Sequence, residues 1–290
     1  MPRLAIVTCA EFPALAPDDH ALAEALRARG VEPVPCVWDD AGVEWAAFDG
    51  ALLRSPWDYH LSRDAFVAWA ARVGGLIPLW NDPATISWNT EKGYLRRFEA
   101  AGIPIVPTAW VEHGAAASLP ALLAERGWTD AVVKPAVGLG SLGIVRVPAG
   151  DADSPTAQTA LDQLTRDGDV LVQPFLTSVV AQGELALIYI DGVFSHAARK
   201  RPAAGDYRVQ PRWGGSIVRS DASPAAHAFA ERVLAELPET PLYARVDLLE
   251  ENPETPWLTE LELVDPALYF GEHPKAADRL ADAVARRLRD

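Results

Sequence analysis

The chain has 290 residues and is short of several things. It carries only two cysteines, Cys9 and Cys36. They form no Cys-x-x-Cys pair, and no His-Glu-x-x-His occurs, so neither a disulfide framework nor a zinc site is indicated. Both lie in apolar, strand-like segments, where a reduced thiol packs as a small hydrophobe. No run of about 18 apolar residues exists, so no spanning helix is expected. Met1 to Ala10 runs straight into a strand-like segment. It lacks the basic start, longer apolar stretch and small-residue cleavage site of a signal peptide, so a cytoplasmic location is expected. Basic charge is scarce too: 26 Lys and Arg face 40 Asp and Glu, for a net charge of −14. That balance argues against nucleic acid and against an anionic membrane surface as partners.

Lysine is the scarcest cation. Four occur, at positions 92, 134, 200 and 275, against 22 arginines. The two residues differ most where a compact ammonium meets a phosphate. Each lysine is therefore a candidate for such a place. What is plentiful is apolar content, 49% with 23% charged residues, which describes a folded globular chain. The length suits a two-lobed enzyme or two small domains.

The first third alternates strand and helix. Strand-like Arg3–Cys9 precedes a helical pattern over Asp18–Arg29 with a Gly30 stop. Strand-like Val31–Trp38 and Phe48–Arg54 come next, then a helix over Asp64–Arg72 and a strand over Leu76–Trp80. This order implies a parallel sheet. A helix is expected over Asn89–Ala101, ending at Gly102, with a strand over Pro104–Val111 and a helix over Pro120–Arg126. Ala131–Val137 and Gly143–Pro148 read as strands around a glycine loop, before a helix over Thr156–Arg166. From Val170 onward strands dominate: Val170–Phe175, Glu184–Ile190, Val193–Ala198, Tyr243–Leu249 and Trp257–Val264. Asp191-Gly192 marks a hairpin. Helices are expected over Pro224–Leu237 and Pro274–Leu288, giving an antiparallel α+β region.

Gly138-Leu139-Gly140-Ser141-Leu142-Gly143 matches G-x-G-x-x-G, but the next residues, Ile144-Val145-Arg146-Val147, read as a strand. A dinucleotide fingerprint needs a helix there. A Walker loop needs its lysine after the glycines, whereas Lys134 precedes them. A kinase loop would be joined by His-Arg-Asp and Asp-Phe-Gly, and neither is present. The remaining reading is a strand–loop–strand flap with a lysine at its root, able to bring backbone N–H groups and the Ser141 hydroxyl close to a phosphate. A plain glycine-rich hairpin is the alternative.

Arg245-Val246-Asp247 and Glu260-Leu261-Glu262 form a second constellation. Strand side chains alternate faces, so Arg245 and Asp247 share one face, as do Glu260 and Glu262. Val246, Leu248, Leu261 and Leu263 then point into the core. If the strands pair antiparallel, three carboxylates and one guanidinium converge. Such carboxylates repel one another, and Mg²⁺ relieves that repulsion. A solvated acidic face is the alternative.

Together these features resemble the ATP-grasp superfamily of carboxylate–amine ligases, in its RimK-type and glutathione-synthetase-like branch. The resemblance implies an N-terminal parallel α/β domain over 1–88, a central ATP-grasp lobe with the flap over 89–172, and a C-terminal α+β lobe with the metal site over 173–290. It implies ATP and Mg²⁺, in two ions, as cofactors. Lys92 and Lys134 match the family's nucleotide lysines, Gly138, Gly140, Ser141 and Gly143 its flap, and Gln173, Phe175 and Leu176 the hinge beside adenine. Glu184 matches a ribose-binding acid. Asp247, Glu260 and Glu262 match the metal ligands, with Glu262 where many members have Asn. Arg245 matches the arginine that steadies the transferred phosphate. Arg201 and Arg208, in Arg199-Lys200-Arg201 and Gly205-Asp206-Tyr207-Arg208, match a stretch that faces phosphate and acceptor. The runs Leu53–Tyr59 and Trp88–Tyr94 look like the cyclo-ligases that close O-ureido-serine to cycloserine. On that likeness Arg54, Ser55, Asp58 and Tyr59 are expected to meet a small amino-acid-like substrate, with Arg54 gripping a carboxylate. Two other readings stay open: an intermolecular amino-acid ligase, and a nucleotide-binding regulatory module without catalysis. The oligomeric state is open as well, a homo-oligomer included.

Overall fold

The structure, a computed structural model, describes residues 1–289. Its first unit holds β1 (Arg3–Thr8), α1 (Asp19–Ala28), β2 (Glu32–Val37), β3 (Gly50–Ser55), α2 (Arg63–Gly74) and β4 (Leu79–Trp80). The four strands form a parallel sheet in the order β2-β1-β3-β4. β1 and β3 are almost wholly buried, as strands covered on both faces must be. Leu4, Ile6 and Leu52 pack toward Leu22 and Leu26 of α1. Ala5, Val7, Ala51 and Leu53 pack toward Phe66, Trp69 and Val73 of α2.

The expected single helix over Asn89–Ala101 is broken. α3 (Pro83–Asn89) begins earlier, because Asp82 caps the Thr85 N–H at 2.7 Å and Pro83 suits the first helical turn. The chain is then extended at Glu91 and passes through a 3₁₀ turn at Lys92–Tyr94 before α4 (Leu95–Ala100). Tertiary hydrogen bonds hold the break open. The Lys92 N–H reaches Ala136 O at 2.9 Å, and the Asn89 side chain spans Leu261 O and the Leu263 N–H, each at 2.8 Å.

The middle of the chain forms β5 (Ala109–Val111), α5 (Leu119–Arg126), β6 (Ala131–Pro135), β7 (Val145–Val147), α6 (Pro155–Asp167) and β8 (Val170–Pro174). These strands build an antiparallel sheet ordered β5-β8-β6-β7. β7 is shorter than the expected Gly143–Pro148, because Gly143 turns the chain at φ 72°. After the short α7 (Ser178–Ala181) come β9 (Glu184–Ile190), β10 (Val193–Arg201), β11 (Ser216–Ser220), α8 (Pro224–Ala235), β12 (Tyr243–Leu249), β13 (Trp257–Glu262) and α9 (Pro274–Arg287). Their sheet runs β11-β10-β9-β12-β13, all antiparallel. β11 is not among the strands expected from the sequence. It is a largely exposed edge strand, so it shows no buried alternation to read. β10 runs past the expected Ala198 and carries Arg199, Lys200 and Arg201 in strand geometry.

The last helix returns to the first unit. Leu280 and Val284 of α9 share a core with Leu4, Ile6 and Ile188, and Arg29 bridges Asp278 and Asp282 at 3.0 and 2.6 Å. Asn81 adds buried links, donating to Tyr243 O and Leu263 O and accepting from the Leu242 N–H. The N-terminal sheet is thereby held beside β12 and β13, which places its loops against the acidic strands.

Candidate active site

β12 and β13 pair with Arg245 opposite Glu262 and Asp247 opposite Glu260. Val246, Leu248, Leu261 and Leu263 occupy the other face and are at most 1% exposed. The core thus fixes which way the polar set points. One carboxylate oxygen from each of Asp247, Glu260 and Glu262 lies within 4.8 Å of the others. Three cations of the chain meet this cluster. Arg245 forks onto Asp247 at 3.0 and 2.9 Å and also reaches Glu262. Lys200 Nζ lies 2.7 Å from both Asp247 and Glu184. Lys92 Nζ lies 2.9 Å from Glu260 and donates to Gly138 O at 3.0 Å.

Charge sorts these acids. Burial disfavours the Asp247 carboxylate, but Arg245 and Lys200 outweigh it and hold the group below its ordinary value. Glu260 is lowered likewise, burial being overcome by Lys92 and Lys134. Glu262 is pushed up to about 8 by burial, which Arg245 does not offset, with Glu260 and Asp247 adding repulsion. Burial drives Lys134 down to about 8, and the charge of Lys92 adds to that. An all-oxygen donor set without nitrogen or sulfur suits a hard divalent cation such as Mg²⁺.

A cavity of about 850 Å³ opens over this cluster. Lys134, Gly138, Gly140 and Ser141 line one wall, and Gln173, Phe175 and Leu176 line the hinge. In the flap Gly140 and Ser141 both adopt left-handed backbone, at φ 58° and 62°. Ser141 Oγ donates to Gln210 Oε1 at 2.7 Å, and Trp213 Nε1 donates to Gly140 O at 3.0 Å. The flap is therefore clasped by the segment between β10 and β11. Arg208, on that segment, lines the cavity, forks onto Asp206 and stacks over Trp213 at 3.7 Å. Gln173 is buried, and its side-chain amide donates to Thr108 Oγ1 at 2.8 Å. Glu184 lines the cavity, with its carboxylate on Lys200 and Thr259.

The N-terminal wall departs from expectation. Arg54 does not reach the cavity. It is 1% exposed and pairs with Asp19 at 2.9 Å and Pro266 O at 3.0 Å. Its guanidinium pairs with a buried carboxylate through Nε and with a carbonyl through Nη2, and Nη1 alone lacks a partner among the described residues. The side chain lies outside the cavity lining, so the expected grip on substrate is corrected. Ser55 is fully buried against Thr8 Oγ1, and Asp58 accepts from Trp38 Nε1 at 2.7 Å, so both are structural. Tyr59 does line the cavity, beside Trp57, Phe12, Glu11 and Asp18. Arg201 is exposed and is not among the cavity residues, which corrects its expected place beside the phosphate.

Among the cavity residues, Lys200, Asp265, Glu11 and Phe12 escape sequence reasoning. Lys200 reads equally well there as a surface cation, yet on β10 it is buried at the centre of the cluster. Asp265 reads as a strand end before Pro266, yet it is 5% exposed and lines the cavity. Burial, and then the nearby charge of Glu260, pushes its carboxyl up to about 7. Nothing local in the sequence marks Asp265. Glu11 and Phe12 carry a signal that could have found them: both lie just past the C-terminal end of a parallel strand, where α/β sheets place ligands.

Two antiparallel α+β sheets, a glycine flap rooted at Lys134 and an acidic pair of strands over one cavity define an ATP-grasp ligase. Residues 103–267 match the model of the prokaryotic glutathione synthetase ATP-grasp domain, and the chain belongs to the ATP-grasp family of ATP-dependent ligases. Residues 4–81 match the N-terminal domain of D-cycloserine synthetase DcsG. The whole chain is 31% identical to the cycloserine biosynthesis protein DcsG of Streptomyces lavendulae, with 99% of each chain covered. A crystal structure of D-cycloserine synthetase DcsG superposes with a TM-score of 0.87, at 30% identity and 99% coverage of both chains. A RimK domain ATP-grasp protein of Sphaerobacter thermophilus shares the fold at a TM-score of 0.69 and 23% identity, with 97% of this chain and 99% of that one covered. No described helix is long and apolar enough to cross a membrane.

Proposed function

We propose that this ligase closes O-ureido-serine to cycloserine, forming ADP through an acyl phosphate. The observation that carries the reading is the end-to-end likeness to DcsG, the N-terminal unit included. That unit supplies Phe12, Trp57 and Tyr59 to the lining of the cavity that Lys134 also lines. A substrate carboxylate oxygen attacks the γ-phosphorus of ATP and ADP leaves. The ureido nitrogen bonded to oxygen then attacks the acyl carbon, loses its proton, and phosphate departs. The ring nitrogen of cycloserine is bare, so once phosphate has left, water adds to the carbamoyl carbon. The bond from that carbon to the ring nitrogen breaks, the nitrogen takes a proton, and carbamic acid departs and falls to carbon dioxide and ammonia.

In this reading Lys92, Lys134 and the flap N–H groups of Gly138, Gly140 and Ser141 hold the nucleotide phosphates, with Phe175 and Leu176 beside the base and Glu184 toward the ribose. Arg245 and Arg208 neutralise charge gathering on the transferred group, which is how phosphoryl transfer is chiefly helped. Asp247, Glu260 and Glu262 would hold Mg²⁺, in two ions, which would draw charge from the phosphate oxygens. The flap, clasped through Ser141 and Gly140, keeps water from the acyl phosphate. The domain bounds 1–88, 89–172 and 173–290 and a cytoplasmic location with a small-molecule partner belong to the same reading.

The test is ADP release and product mass with the D and L forms of O-ureido-serine. A product of cycloserine mass, with ADP formed in step, is expected. A product uniting two amino acids would make the protein an intermolecular ligase. ATP binding without ADP release across amino-acid-like carboxylates would make it a binding module.

A further inference from the structure

The cavity wall formed by the N-terminal unit has an uneven charge. Its contributors are Glu11, Phe12, Asp18, Trp57 and Tyr59, with no cation among them. The cations that line the cavity, Lys92, Lys134, Lys200, Arg208, Arg212 and Arg245, all come from later in the chain. The acceptor end of the site is therefore built to receive positive charge, and the phosphate end to receive negative charge.

One acid at that end is unspent. Asp265 is 5% exposed and lines the cavity, and its Oδ2 has no hydrogen-bond partner among the described residues. A buried carboxylate oxygen without a donor is costly unless a ligand supplies one. The backbone around it is held in place: Trp57 Nε1 donates to Asp265 O at 3.1 Å, and Tyr243 Oη donates to Val264 O at 3.1 Å. The other acids on this wall are less suited. Asp18 already accepts the Phe270 and Gly271 N–H groups, each at 3.1 Å, and Glu11 is exposed. Aromatic rings complete the setting. Phe12 and Trp57 meet edge to face at 5.3 Å, and the buried Tyr59 lines the same cavity. A carboxylate among aromatic rings is the environment that binds an ammonium group.

We propose that Asp265 is the specificity residue that pairs with the free α-ammonium of the substrate. The pairing rests on the ring-closure reading, in which that ammonium takes no part in bond making and survives in the product. Holding it at Asp265 points the carboxylate toward Arg208, Arg245 and the phosphates, and brings the ureido nitrogen round to the acyl carbon. A carboxylic acid without the amine lacks this anchor.

The experiment compares O-ureido-serine with its analogue lacking the α-amine, in the wild type, Asp265→Asn and Glu11→Gln. ADP release is followed, and binding is followed by calorimetry with Mg²⁺ and a non-hydrolysable ATP analogue. Asp265→Asn is expected to raise KM for the amine-bearing compound about 30-fold or more, the cost of removing one partner of a buried charge pair. The preference over the des-amino analogue should collapse, with KM for ATP and the melting temperature unchanged. Glu11→Gln should keep the wild-type preference. An Asp265→Asn enzyme that keeps that preference, or a wild type that binds both compounds equally, overturns the ammonium site. Loss of preference in Glu11→Gln alone moves the site to Glu11 and overturns it too. Binding of the amine-bearing compound without turnover overturns the ring-closure reading and leaves the amine comparison readable. A wild type that binds neither compound overturns both.

Discussion

Replacing Asp19 by Asn separates a structural Arg54 from a substrate-binding one. The substitution keeps the shape of the site and withdraws the charge that Arg54 faces at 2.9 Å. Arg54 has few other partners: Pro266 O at 3.0 Å and the Tyr243 and Phe270 rings at 5.4 and 5.7 Å, while its Nη1 has none among the described residues. Stranding a buried charge costs about 3–5 kcal/mol. Unfolding entropy of about 2.1 cal/mol/K per residue amounts to about 0.6 kcal/mol per degree for this chain, so Tm should fall by about 5–8 °C. Urea unfolding followed by tryptophan fluorescence measures the loss directly, and kinetics well below the new Tm measure function. The folded variant should keep its KM for the carboxylate substrate within about threefold, a change of under 1 kcal/mol. Pairing Asp19→Leu with Arg54→Met should restore most of the stability, because a buried ion pair can be exchanged for apolar volume at little cost. A Tm within about 1 °C of wild type together with a KM raised tenfold or more would refute the reasoning, since a stranded charge cannot cost so little. Arg54 would then reach the substrate after all.

The flap and its root give two further expected outcomes. Lys134 carries its charge below its pKa, which burial lowers to about 8, so kcat/KM for ATP should decline as pH rises through about 8. Lys134→Ala should lose turnover with its Tm intact, and Lys134→Arg, weaker at neutral pH, should lose the alkaline decline; a pH–rate series from 6 to 10 checks this. Trp213→Phe removes the indole N–H that holds Gly140 O at 3.0 Å. The looser flap should admit water to the acyl phosphate, so ADP released per product formed should rise severalfold, read by coupled ADP assay against product mass.

Much of the site is legible in the sequence because strand periodicity is a strong local signal. Alternation places Arg245 with Asp247 and Glu260 with Glu262, so an antiparallel pairing of the two strands is all that is needed to bring the charged set together. The flap is legible by elimination, since a strand comes after its glycines where other phosphate loops need a helix or a lysine. The helix expected over Asn89–Ala101 fails for a reason no local pattern contains. Its break is held by Ala136, Leu261 and Leu263, the last two more than 170 residues away along the chain. β11 escapes notice because an exposed edge strand has no buried face to leave a pattern.

The sequence by itself determined the class of protein. Four lysines, one flap and one acidic strand pair are local or period-two features, and side-chain direction along a strand is set by backbone geometry alone. Only the tertiary structure decided how each charge is used. Arg54 and Asp265 look alike in sequence, each a lone charged residue near a strand end. The packing of the N-terminal sheet against β12 and β13 gives Arg54 a buried partner in Asp19 and leaves an Asp265 oxygen bare beside the cavity. Whether a buried charge is spent or free depends on which group from a distant segment arrives next to it, and only the folded chain settles that.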